Sequence, residues 1–97
     1  MIKPTDILDT DPRVVLREDF EDWTILFHPL TGEAVGLDPV GVLTWKLIDG
    51  KRSGEEIAAA LGSHFEDAPP SVREDTQAFL QNLYRRLFVR LEAKGKR

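Results

Sequence analysis

Cysteine is absent from the 97 residues. Disulfide staples, thiolate nucleophiles and cysteine-based zinc or iron–sulfur sites are therefore excluded, and stability has to come from packing. Histidine is almost as scarce. His28 and His64 stand alone, outside any His-x-x-x-His or His-x-Glu arrangement, so no metal site is expected. No stretch approaches the roughly 20 apolar residues of a membrane span, and Met1 to Asp6 lacks the apolar run of a signal peptide, so a cytoplasmic protein is expected. Also missing are a glycine-rich phosphate loop, a serine or threonine with a histidine and an orienting acid, and paired carboxylates on one element; no enzyme and no cofactor is expected.

What is present is enough for one small domain. Folding at this size hides about 60–65% of the unfolded chain's surface, which favours a shallow groove over a deep catalytic pocket. Charge is unevenly distributed: Met1 to Tyr84 carries 16 acidic against 7 basic residues, and Arg85 to Arg97 carries 1 against 6. An acidic body is a poor match for nucleic-acid phosphates. The basic tail, from Arg85, Arg86 and Arg90 to Lys94, Lys96 and Arg97, suits the C-terminal end of a helix, with docking to an acidic partner as the alternative. Glu18-Asp19 and Glu21-Asp22 lack the alternation and central glycine of a calcium loop and read as a solvated turn.

Residues 1–12, with two prolines and the single apolar pair Ile7-Leu8, read as a flexible arm. Ile7-Leu8 could lie in a groove until a ligand displaces it. Short apolar runs follow at Val14-Leu16, Trp23-Phe27 and Ala34-Leu37, separated by turn residues, and predict three strands in a meander. His28 to Glu33, with Pro29 and Gly32, makes the second and third strands antiparallel neighbours. Alternation puts Trp23, Ile25 and Phe27 on one face of the second strand and Thr24, Leu26 and His28 on the other, the first being the greasier and hence the face expected to be covered.

Helix signals then take over. Asp38-Pro39 pairs a capping carboxylate with proline at the first helical position, and Val40, Leu43 and Leu47 recur at helical spacing until Asp49-Gly50. Ser53 to Glu56 has the form of a capping box, with Gly62 as the expected stop; Ser71 to Glu74 repeats the form for a third helix. On that helix Val72, Phe79, Leu83 and Leu87 form a stripe that Leu80, Tyr84, Phe88 and Leu91 widen. The fold class expected is α+β, a three-stranded antiparallel sheet followed by three helices, winged helix-turn-helix-like, over residues 13–92, with a basic tail at 93–97.

The order and spacing of Leu16-Arg17, Leu37-Asp38, Leu47-Ile48-Asp49-Gly50, Ser53 with Glu56-Ile57, and Val72, Asp75, Phe79-Leu80 and Leu83 resemble the PqqD family and the related recognition elements of peptide-modifying enzymes. One departure is Arg86, where the family usually has a glycine before a final apolar pair; the third helix is therefore expected to run on through Leu91. The resemblance implies a peptide chaperone, monomer or homodimer, that takes the leader of a ribosomally made precursor peptide as an added strand and presents it to a radical S-adenosylmethionine enzyme, in pyrroloquinoline quinone or another peptide pathway. It implies a site with Glu33, Ala34, Val35, Gly36 and Leu37 on the strand and Val72, Thr76, Phe79, Leu80 and Leu83 on the helix. Strand addition of about ten residues suggests micromolar affinity, roughly −8 kcal/mol. Three alternatives stand beside it: a sheet edge covered by the arm or by a neighbouring molecule, a winged-helix DNA-binding protein whose third helix begins unfavourably with Glu74 and Asp75, and a structural subunit bridging two enzymes.

Overall fold

The computed structural model describes residues 1–18 and 24–92. In chain order these form β1 (Leu8–Thr10), β2 (Val15–Arg17), β3 (Thr24–Phe27), β4 (Ala34–Leu37), α1 (Pro39–Leu47), α2 (Gly54–His64), α3 (Val72–Arg85) and β5 (Val89–Leu91). β2, β3 and β4 make the expected antiparallel meander, with β4 at one border. A second sheet pairs β1 with β5 antiparallel, Leu8 opposite Leu91.

Two of the three helix starts form as their residues dictate. The Gly41 N–H donates to Asp38 Oδ1 at 2.8 Å, capping α1. At α2 the reciprocal box is complete: the Glu56 N–H donates to Ser53 Oγ at 3.2 Å and the Ser53 N–H to Glu56 Oε1 at 2.7 Å. At α3 the box does not form. The Ser71 hydroxyl turns to Asp75 Oδ2 at 2.9 Å, and Ser71 has a near-helical ψ of 6° that leaves its side chain unable to cap. Gly62 does not stop α2, which continues to His64; one glycine inside a helix costs only about 1 kcal/mol, less than the packing of Ile57 and Leu61 returns.

The sheet is covered on the face opposite to the one expected. Thr24, Leu26 and His28 are buried, whereas Phe27 is 39% exposed; Trp23 lies outside the described residues. The pairing of Leu26 with Leu16 and Val35, and of Thr24 with Leu37, puts these side chains together under the helices. His28 is accommodated there because its Nδ1 accepts from the Leu30 N–H at 3.3 Å and its ring packs edge-on against Phe88. Its Nε2 has no hydrogen-bond partner and lies 3.6 Å from Asp11 Oδ2. Hydrogen bonds from the Arg13 side chain and backbone hold the Asp11 carboxyl far below the usual carboxylate range.

The first residues are not a loose arm. Ile2 and Leu8 are core residues, and the segment's carbonyls serve as a cap: Asp6 and Pro4 accept from the Gly54 and Glu55 N–H groups, donors that the first turn of α2 cannot satisfy internally. The Gly50 N–H donates to Leu8 O, and the Ile2 N–H to Gln81 Oε1 on α3. Nor does Ile7-Leu8 lie in a groove, since Leu8 is locked between β5 and the α1–α2 loop. Composition misled here because backbone groups, invisible to hydropathy, do most of the fastening.

α3 ends at Arg85 rather than continuing through Leu91. Leu87 takes φ 69°, the left-handed conformation usually left to glycine. The Phe88 N–H donates to Leu83 O and the Leu87 N–H to Tyr84 O, the 6→1 and 5→2 pair of a Schellman turn. Burial of Phe88 and Val89 outweighs the strain at Leu87, whose own side chain is 60% exposed. Leu87→Gly is accordingly expected to stabilise the fold, by about 0.5–1 kcal/mol in urea unfolding; a loss would show that the Leu87 side chain contributes more than its exposure indicates. Leu8→Ala is expected to cost about 2–4 kcal/mol. A cost below about 1 kcal/mol would restore the loose arm.

Candidate functional site: a cleft between a sheet border and a helix

β4 is paired on one side only among the described residues. Its pairing phase is set by the turn, where the His28 N–H donates to Glu33 O at 2.9 Å. Bonding partners in an antiparallel ladder alternate, so Glu33, Val35 and Leu37 direct their backbone groups to β3. The N–H and C=O groups of Ala34 and Gly36 point outward. Both residues are exposed and small, leaving room for another chain to come alongside.

Facing this border is α3, which packs chiefly on α2 and not closely on β4. Gly54, at the start of α2, lies close against α3: a Cβ there would stand 2.8 Å from Gln77 Oε1 and 3.4 Å from a Leu80 methyl. The space left between β4 and α3 opens into a concavity of about 760 Å3 whose apolar wall includes Val40, Leu61, Phe65, Val72 and Phe79. Gly36, Leu37 and Thr76 line it too. At its other end the cleft is crossed by an ion pair, Arg86 Nε donating to Glu33 Oε1 at 2.7 Å. β4 and α3 thus run in opposite directions, apart at one end and tied at the other.

Of the residues expected at the site, Gly36, Leu37, Val72, Thr76 and Phe79 come together around the concavity. Val35 and Ala34 continue along β4, and Glu33 just before it stands at the tied end. Leu80 and Leu83 do not face the cleft. They are 0% and 1% exposed and belong to the core with Leu26 and Phe88: Leu80 lies around the helix from the cleft stripe, and Leu83, although on the stripe of Val72, Thr76 and Phe79, lies a turn further along α3, beyond the concavity. Sequence reasoning did not single out Val40, Leu61 and Phe65; the signal it offered was an aromatic residue, Phe65, just past the helix stop expected at Gly62. Among the described residues no three metal-ligating side chains converge, and no helix is long and apolar enough to cross a membrane. In the basic stretch Arg85 ends α3 and Arg86 is engaged with Glu33; Lys94, Lys96 and Arg97 lie outside the described residues.

The family model of PqqD, the coenzyme PQQ synthesis protein D, matches residues 24–89, which span β3 through the start of β5. The chain belongs to the PqqD family. A solved structure of TbiB1 in complex with the TbiA(beta) leader peptide is similar to this PqqD-family chain, at 30% identity and a TM-score of 0.68, covering 88% of this chain and 95% of that one. No curated protein matches it. The matched segment contains the whole cleft, both its β4 border and its α3 wall.

The ion pair at the tied end is exposed on both sides, so it should contribute little to stability. Glu33→Gln is expected to lower unfolding free energy by no more than about 1 kcal/mol. A loss above about 2 kcal/mol in urea titration would make the pair a structural clamp.

Proposed function

We propose that this chain binds the leader of a ribosomally synthesised precursor peptide in the β4–α3 cleft and presents it to a radical S-adenosylmethionine enzyme, acting as a binding partner and not as a catalyst. The observation that carries the reading is the pair of outward-facing residues on β4, Ala34 and Gly36, set beside an apolar wall. An extended peptide would use their N–H and C=O groups to add a strand, and would place alternate side chains against Val72, Thr76 and Phe79. The similarity to a chain solved with a leader peptide supports leader binding.

The DNA-binding alternative finds no support in the geometry. The first turn of α3 sets Arg73 beside Glu74 and Asp75, and the described residues lining the concavity beside it include carboxylates and no lysine or arginine, a surface that repels phosphate.

The test is a titration of the chain with synthetic leaders encoded beside its gene, followed by amide shifts and fluorescence anisotropy. Micromolar binding with shifts at Ala34 and Gly36 is expected. Ala34→Pro removes an outward donor that β3 does not use, and should weaken binding about tenfold or more while the fold persists. Unchanged affinity in that variant would rule out strand addition at β4.

A further inference from the structure

Backbone pairing along β4 is nearly indifferent to sequence, and a strand shifted by two residues would make the same hydrogen bonds with Ala34 and Gly36. Something at the cleft must fix which side chains arrive where. The wide end has an apolar floor at Leu61, Val72 and Phe79 and a rim of four carboxylates, those of Asp38, Glu66, Asp67 and Asp75. No lysine or arginine lines it, and none of the four carboxylates enters an ion pair among the described residues.

Two of these acids have a structural reason to be there. Asp38 caps α1, and Asp75 lies in the first turn of α3, where negative charge suits the helix dipole. Glu66 and Asp67 have none: they follow the C-terminal end of α2, where the dipole disfavours anions, and no hydrogen bond engages their side chains. The nearest basic residues in sequence, His64 and Arg73, are not part of the lining. At the tied end Arg86 is held by Glu33. The cleft therefore has an electrostatic direction, negative at its mouth beside Leu37 and neutralised at its foot beside Glu33, and the apolar floor strengthens the field felt at the mouth.

We propose that the wide end selects a peptide segment in which an apolar side chain is flanked by a lysine or arginine, the apolar group resting on Val72 and Phe79 and the cation meeting Glu66 and Asp67. This rests on the peptide-binding reading above and adds the chemistry of the ligand: the apolar contact supplies most of the affinity, and the charge sets register and direction.

A phage-displayed library of random ten-residue peptides, panned on the full chain, on Ala34→Pro, on the neutral double variant Glu66→Gln/Asp67→Asn and on the reversed double variant Glu66→Lys/Asp67→Lys, separates the possibilities. Both double variants change exposed loop side chains, so melting temperatures within about 4 °C of the parent are expected. The parent should enrich lysine or arginine next to an apolar residue. Synthetic copies of those peptides should bind the neutral variant about three- to tenfold more weakly, and should lose affinity for the parent as sodium chloride is added. The reversed variant should enrich aspartate or glutamate at the same place. Peptides retained by the parent without basic enrichment, or an unchanged preference in the reversed variant, would overturn this inference and leave peptide binding intact. Retention by the parent no better than by Ala34→Pro would overturn both.

Discussion

The architecture depends on one backbone reversal, at Leu87. By taking the left-handed conformation immediately after α3, the chain turns Phe88 and Val89 into the core and comes back as β5 along β1. Without that reversal β1 would have no partner, the N-terminal segment would have no second strand to hold it over the start of α2, and the end of α3 would continue into solvent. The same turn leaves Arg86 as the last residue facing β4, where it meets Glu33. Core closure and the foot of the cleft are two results of one local conformation, whose strain of about 1–2 kcal/mol is small beside the burial of a phenylalanine and a valine.

The cleft follows from how α3 divides its surface. Its second half, with Leu80 and Leu83, is committed to the core, while the Val72, Thr76 and Phe79 stripe of its first half lines the concavity beside β4 without closing onto it. A helix that packed flush on the sheet would have buried Phe79 and left no room for another strand. Among the described residues β4 in turn stays unpaired on its outer side, because the N-terminal segment, the most obvious internal candidate to cover it, is used up elsewhere.

Most of the α+β plan was legible in the sequence: the β3–β4 turn, the Asp38 cap, the Ser53–Glu56 box and the extent of β4 all follow from residues whose local chemistry admits few conformations. The misreadings share a cause. The burial of His28 with Leu26, the fastening of residues 2–10 and the break at Leu87 are each decided by contacts between residues more than fifty positions apart or by backbone hydrogen bonds, and neither periodicity nor composition records these. At the cleft, strand patterning gave the extent of β4, and its place at a binding site came from the family resemblance. Dividing the α3 residues into wall and core required knowing where α2 lies, so Leu80 and Leu83 could not be told from Phe79.

β4 is four residues long and contains a glycine. A border of that length offers too few main-chain groups for one molecule to template the stacking of identical copies, and the glycine lowers the propensity for extended stacking further. The brevity that limits how tightly any single strand can be gripped is thus also what lets an open border persist in solution without growing into fibrils.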